Sequence, residues 1–191
     1  MDEFTPTEAA AITDLPVRYI QKAIDEGPLK GARHRNGRSL HFDDLVFLYT
    51  VGHVDSGLIQ ITAAAKKQLR KKIENAPGTN GDVLVGGAVF QLKPAIRTVR
   101  SRLTKLRRAK RMVVCDPEIR GGLPVIKGTR IGVYEVATML ADPNETEEEF
   151  LEGYPALRRE QLELSRIYAA AYPRRGRPPR HPWHKTEARA A

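Results

Sequence analysis

The side chains of this sequence that can do chemistry are mostly cations, and they stand in groups. Arg18, Gln21 and Lys22 fall on the polar side of one helical stretch, with Tyr19 among them. Arg33, His34, Arg35 and Arg38 crowd the segment around Asn36-Gly37. Arg174, Arg175, Arg177, Arg180 and Trp183 lie in a proline-rich C-terminal stretch. Guanidinium groups donate in pairs to phosphate and carboxylate oxygens, so these groups offer anion recognition. Catalytic patterns are missing: the sequence has no G-x-x-x-x-G-K run and no nucleophile with an oriented base. The histidines, His34, His41, His53, His181 and His184, are scattered. His181 and His184 stand three apart but lack cysteine or acid ligands, which makes a weak metal pair. No enzyme activity, cofactor or metal is expected.

The charge is unevenly spread. The 191 residues carry 32 basic and 23 acidic side chains, a net charge of +9. That balance points to a polyanionic partner. Residues 97–111 hold eight Arg/Lys and no acid, whereas residues 142–152 hold six acids and no base. At helical spacing the 97–111 cations repel one another. DNA phosphate, the 142–152 acids or a partner surface would relieve them. No run approaches the roughly eighteen apolar residues of a membrane span, and the acidic N-terminus is unlike a secretory signal. A lone cysteine, Cys115, excludes an intrachain disulfide and suits a reducing cytoplasm. Its place after Met112-Val113-Val114 predicts a buried strand residue.

The elements that position the first two groups are predicted within residues 1–52. Thr5 is an N-cap, with Pro6 at the first helical position and Glu8 three residues on. This helix ends near Thr13-Asp14. A second follows Leu15-Pro16, with Val17, Ile20, Ala23 and Ile24 at helical spacing, and stops at Gly27-Pro28. Asn36-Gly37 signals a two-residue hairpin, and Asp43-Asp44-Leu45 opens a third helix through Val51. The pattern resembles the MerR/excisionase type of winged helix-turn-helix, on Thr5, Pro6, Glu8, Ala9, Ala10, Val17 to Ile20, Glu26, Gly27, Leu29, Gly37, Arg38, Leu40, Phe42, Asp44 and Leu45. That resemblance implies a second helix in the major groove and a hairpin wing on the backbone. The DNA-binding set is then Arg18, Tyr19, Gln21, Lys22, Arg33, His34, Arg35 and Arg38. Tyr19 suits either a groove contact or a core position. A helix-hairpin-helix used for protein contact is the plainer reading of the segment.

Residues 53–82 are expected to form a basic helix and a linker. Ile59, Ile61, Ala64, Ala65, Leu69 and Ile73 alternate with Lys66, Lys67, Arg70, Lys71 and Lys72, an ordinary packed helix with a solvated basic face. Residues 83–93 predict a hairpin broken at Gly86-Gly87, able to close a sheet with 112–115 and 125–133. Residues 94–111 predict a helix with Ile96, Val99, Leu103 and Leu106 as its apolar stripe.

Asp116 to Val133 combines turn-forming Gly121-Gly122, Pro124 and Gly128 with short β-branched runs. A hairpin-like unit is predicted from Val125-Ile126, a turn at Lys127-Gly128, and Ile131-Val133. Asn144 is placed as the cap of an acidic helix, and a last helix carries Leu162, Leu164, Ile167, Tyr168 and Ala171. Residues 113–172 resemble domain-of-unknown-function family 433, on Asp116, Pro117, Ile119, Gly122, Pro124, Val125, Ile126, Gly128, Thr129, Arg130, Ile131, Val133, Leu140, Glu152, Tyr154, Pro155 and Leu157. The resemblance implies a compact helix-turn-helix-like domain of VapB-type antitoxins, which accompany PIN-like ribonuclease toxins.

The fold class expected is mainly α with small β-hairpins, α+β. Its parts are a winged helix-turn-helix at 1–52, the basic helix and linker at 53–82, the antitoxin-family domain with a dimerisation role at 83–172, and an extended basic tail at 173–191. The tail is rich in proline and arginine and is expected to be extended. Its R-G-R-P run resembles one AT-hook core. The function expected is an antitoxin of a type II toxin-antitoxin system that autoregulates its operon. Its partners would be double-stranded operator DNA, a PIN-like ribonuclease toxin and a second copy, as a homodimer or a larger toxin-antitoxin hetero-oligomer, with no membrane. Arg174, Arg175, Arg177, Arg180 and Trp183 would occupy the toxin's acidic metal site. The alternative is a stand-alone MerR/excisionase-like transcriptional regulator.

Overall fold

The structure, a computed structural model, describes residues 2–25, 29, 32–34, 37–54, 61–75, 81–143 and 145–174, with the backbone alone for 32–34, 37 and 38. The fold is mainly helical with small antiparallel hairpins. Helix α1 (Pro6–Thr13) starts as its residue types dictate. The Thr5 hydroxyl accepts from Glu8 N–H, the Glu8 carboxylate accepts from Thr5 N–H, and Pro6 occupies the first position. Asp14, at φ 60°, turns the chain into α2 (Val17–Asp25), whose Ile20 and Ile24 are buried. Strands β1 (Ala32–His34) and β2 (Gly37–Ser39) pair antiparallel, with His34 opposite Gly37. Gly37 is therefore the first residue of β2. The turn expected at Asn36-Gly37 falls partly on residues 35 and 36, which lie outside the described residues.

Helix α3 (Phe42–Val54) is the centre of the first core. Leu45, Val46, Phe47, Leu48 and Val51 are all buried, so apolar residues surround most of its circumference. Asp44 caps it by accepting from His41 N–H at 2.8 Å. Helix α4 (Ala63–Asn75) packs on α3 through Leu69 and Ile73. Its Arg70 is not on the solvated face. The guanidinium turns inward and meets the buried Asp44 carboxylate at 2.6 Å. Strands β3 (Asp82–Val85) and β4 (Ala88–Gln91) form a hairpin closed by Gly86 and Gly87, both at positive φ. Helix α5 (Leu92–Met112) buries Ile96, Val99, Leu103 and Leu106, the stripe expected, together with Ala95 and Ala109.

Strand β5 (Val113–Val114) pairs with β6 (Val125–Ile126), and the loop between holds one 3-10 turn at Arg120–Gly122. The hairpin expected at 125–133 is present in reduced form. Val125 bridges Gly132, and Ile126 N–H donates to the Ile131 carbonyl, before α6 (Val133–Met139) begins. Among the described residues the β3-β4 hairpin does not join this sheet, and each is two-stranded. Cys115 lies past the end of β5 and is exposed, because β5 is only two residues long and the chain turns away at Asp116-Pro117. Helix α7 (Glu147–Gly153) is capped by Thr146 with Glu149 in a reciprocal box, so its start lies two residues beyond the position assigned to Asn144. Asn144 itself is outside the described residues.

Helix α8 (Arg159–Ala171) ties the chain together. Ile126, Val133, Val136, Leu140, Phe150, Leu157 and Leu162 form a second core, which Tyr168 also joins. Ala171 and Ile167 of the same helix pack into the first core with α1, α3 and α5. The first core runs from Phe4 to Ala171 and crosses the boundary expected at residue 52. Among the described residues, no helix is long and apolar enough to cross a membrane.

Candidate anion-binding sites

Helix α2 buries one side and exposes the other. Ile20 and Ile24 face the core, and Arg18, Gln21 and Lys22 are exposed. Tyr19 is half-buried and packs in part against the first core. The backbone of Arg33, His34 and Arg38 lies in the β1-β2 hairpin, with Arg33 directly opposite Arg38. Arg35 lies outside the described residues, as do Arg175, Arg177, Arg180 and Trp183. Arg174 is described, and its guanidinium stands 4.6 Å from the Tyr134 ring centroid. That is a cation-π contact at the point where the chain leaves α8. The Tyr134 hydroxyl donates to the Tyr172 carbonyl at 2.6 Å and anchors the same exit.

Five of the α5 cations find counter-charges inside the chain. Arg102 meets Asp14, Lys105 meets Glu163, Arg107 meets Asp2, Arg108 meets Glu160 and Lys110 meets Glu8. These acids come from the N-terminal residues, from α1 and its end, and from α8. The 142–152 acids go elsewhere: Glu147 pairs with Arg159 and Arg166, and Glu148 with Arg159. The reason is geometric, since α8 and α1 lie along α5 whereas α7 packs on α8. Exposed pairs of this kind contribute only about 0–1 kcal/mol each, and these five offset part of the repulsion along the helix.

Two pairings are inaccessible to sequence reading. Arg120 adopts φ 52°, an uncommon conformation for a side-chain-bearing residue, and grips Glu135 with both terminal guanidinium nitrogens, Nη1 and Nη2. The Arg120 hydrogen bond, with its charge, holds the Glu135 carboxyl below the ordinary range despite partial burial. The second pairing joins Glu8 to Tyr172, whose hydroxyl donates to the carboxylate.

At the far end of α5 the cations are not all neutralised. Arg108, Arg111, Lys127, Gly128, Thr129 and Arg158 surround an open cleft of about 640 Å³. Among the described residues, Arg111, Lys127 and Arg158 have no carboxylate in ion-pair contact; Arg108 has Glu160 at 2.9 Å. The acid-free run at 97–111 foreshadowed Arg108 and Arg111. Nothing in the sequence pointed to Lys127 and Arg158, which reach the cleft through the β6 turn and the start of α8.

This C-terminal half is where the chain is similar to others. Residues 113–169 match the family model described as a protein of unknown function, DUF433. The match covers β5, β6, α6, α7 and most of α8, the elements that build the second core. The chain is also 43% identical over 88 residues to the uncharacterized protein y4eO of Sinorhizobium fredii. That likeness covers 46% of this chain and 39% of the relative, so the chain spans about two fifths of the relative's length. No solved structure matches.

Proposed function

We propose that this protein is an antitoxin of a type II toxin-antitoxin system, binding operator DNA through its N-terminal elements and a PIN-like ribonuclease through its C-terminal extension. The observation that carries the DNA-binding half is the division of α2. Ile20 and Ile24 anchor it, and Arg18, Gln21 and Lys22 stand on its exposed side. An antiparallel hairpin with Arg33 opposite Arg38 follows it in the chain. A winged helix-turn-helix uses such elements as a groove reader and a backbone-gripping wing. The antitoxin half is supported by the family-433 resemblance and by the arginine content of residues 174–180. Arginine forks suit the carboxylates of a metal-dependent nuclease site. In this reading the protein acts by binding and carries out no catalysis of its own.

The test has two arms. Arg18→Glu with Lys22→Glu weakens duplex binding by roughly tenfold or more at low salt, because two phosphate-facing cations become anions. Unchanged affinity removes the DNA-binding role of α2. Co-expression with the neighbouring reading frame yields a complex with a small nuclease, which removal of residues 173–191 abolishes. Duplex binding without any accompanying nuclease supports the stand-alone regulator instead.

A further inference from the structure

We propose that the cleft walled by Arg108, Arg111, Lys127 and Arg158 is a second seat for nucleic acid, taking the phosphodiester backbone without regard to sequence. This rests on the reading that the chain's partner is a duplex, and it adds a contact that α2 and the β1-β2 hairpin do not supply.

The pattern of neutralisation along α5 is the first argument. From Arg102 to Lys110, Arg102, Lys105, Arg107, Arg108 and Lys110 each meet a carboxylate of α1, its end, α8 or the N-terminal residues. Among the described residues Arg111, one residue further, meets none, like Arg97 and Arg100 nearer the start of the helix. Two elements distant in sequence then bring more positive charge to the same place. Lys127 comes from the turn after β6, and Arg158 stands just before α8. Four cations face one carboxylate, Glu160, which is committed to Arg108. Like charges gathered this way repel, so the cleft is a place where an anion relieves the fold.

The shape and lining argue for a phosphate chain over an acidic protein segment. The cleft is open and about 640 Å³ in volume, which suits an extended ridge such as a sugar-phosphate backbone. Among the described residues lining it, Met112 and Leu164 are the only large apolar ones and none is aromatic. Protein partners draw most of their binding energy from buried aromatic or aliphatic anchors, for which this cleft has little room. Phosphate contacts need only forked donors and access. Access is present at the turn, where a Cβ added to Gly128 would meet nothing within 4 Å.

The experiment uses the full chain and a fluorescent duplex of about twenty base pairs of arbitrary sequence, titrated between about 50 and 200 mM salt. In the variant Arg111→Gln/Lys127→Gln/Arg158→Gln, affinity falls and the slope of log K against log salt flattens by about 2 to 3, roughly 0.9 for each phosphate that is no longer neutralised. Arg111→Lys/Arg158→Lys keeps the charges and retains most of the slope. Misfolding would lower the thermal midpoint of the Gln variant, and this is measured alongside. An unchanged slope in a Gln variant that melts normally overturns the proposal. It is equally overturned if the Gln variant no longer binds a poly-glutamate peptide and keeps its duplex binding, because the occupant is then acidic protein. A wild-type chain that ignores duplex altogether removes the DNA reading itself, an outcome separate from both.

Discussion

The Tyr172 hydroxyl donates a hydrogen bond to the carboxylate of Glu8, across 164 residues of sequence. Glu8 is buried, and it serves two structures at once. One oxygen closes the capping box on Thr5, and the other receives Tyr172 and lies 3.5 Å from Lys110 Nζ. The start of α1, the C-terminal end of α5 and the end of α8 therefore meet at one carboxylate.

Tyr172→Phe leaves that carboxylate short of a donor in a place water reaches poorly. Hydrogen bonds to charged groups contribute about 1.5–3 kcal/mol, and the cost here falls toward the lower half of that range because Lys110 and Thr5 remain. The shift in the denaturant midpoint at neutral pH measures it. A midpoint within error of the parent would mean that the bond carries no net stability.

Acid sensitivity follows from the same group. Burial alone would raise the Glu8 carboxyl, but the bonds from Tyr172 and Thr5 and the charge of Lys110 outweigh it and set it below its ordinary 4.5. A carboxyl depressed in the folded state contributes stability that is present above its unfolded value and lost as pH falls through the folded one. Stability is thus expected to decline below about pH 4.5, and Glu8→Gln to flatten that decline. Tyr172 moves the other way. Burial and the Glu8 carboxylate raise its phenol above the ordinary 10.0, so its contribution is complete below that value and fades in stronger alkali. Unfolding curves taken across pH 3–11 test both limbs.

Asp44 and Arg70 form the most buried ion pair among the described residues, with side chains 8% and 16% exposed. Asp44 also caps α3, and two of the Arg70 guanidinium nitrogens, Nε and Nη1, are buried without a hydrogen-bond acceptor. Removing one partner strands the other's charge at a cost of about 3–5 kcal/mol in a fully buried pair. Asp44→Ala therefore approaches that figure, as it loses the cap as well. Arg70→Met costs distinctly less, because the aliphatic stem survives and the two unsatisfied nitrogens go with the head group. Equal losses in thermal unfolding would contradict this asymmetry.

Gly128 separates steric from conformational effects. It sits at φ 80°, and an added Cβ meets no atom within 4 Å. Gly128→Ala is expected to cost about 1 kcal/mol through backbone strain alone. Gly128→Asn costs less, since asparagine tolerates the left-handed region better. An alanine variant as stable as the parent would show that the turn relaxes to negative φ.

Local signals were legible in the sequence wherever neighbouring residues decide the structure. Thr5, Pro6 and Glu8 set the start of α1, Gly86-Gly87 sets the β3-β4 turn, and the spacing of Ile96, Val99, Leu103 and Leu106 sets the buried side of α5. Each of these is resolved within a few residues, where side chain and backbone meet directly. The cap at Thr146, two positions beyond Asn144, marks the edge of that legibility, since competing caps one or two positions apart differ little in local energy.

What only the tertiary structure decided depends on contacts between distant segments. Sequence pattern placed Arg70 on a solvated face, but the position of α3 draws it inward to Asp44. It offered the 142–152 acids as counter-charges for α5, but the lie of α8 and α1 puts other carboxylates there. Cys115 read as buried, and the shortness of β5 leaves it exposed. The cleft between Arg108, Arg111, Lys127 and Arg158 belongs to no single segment. Its charge becomes visible once α5, the β6 turn and α8 converge, because electrostatic environment depends on distance in space and the chain encodes it only through the fold.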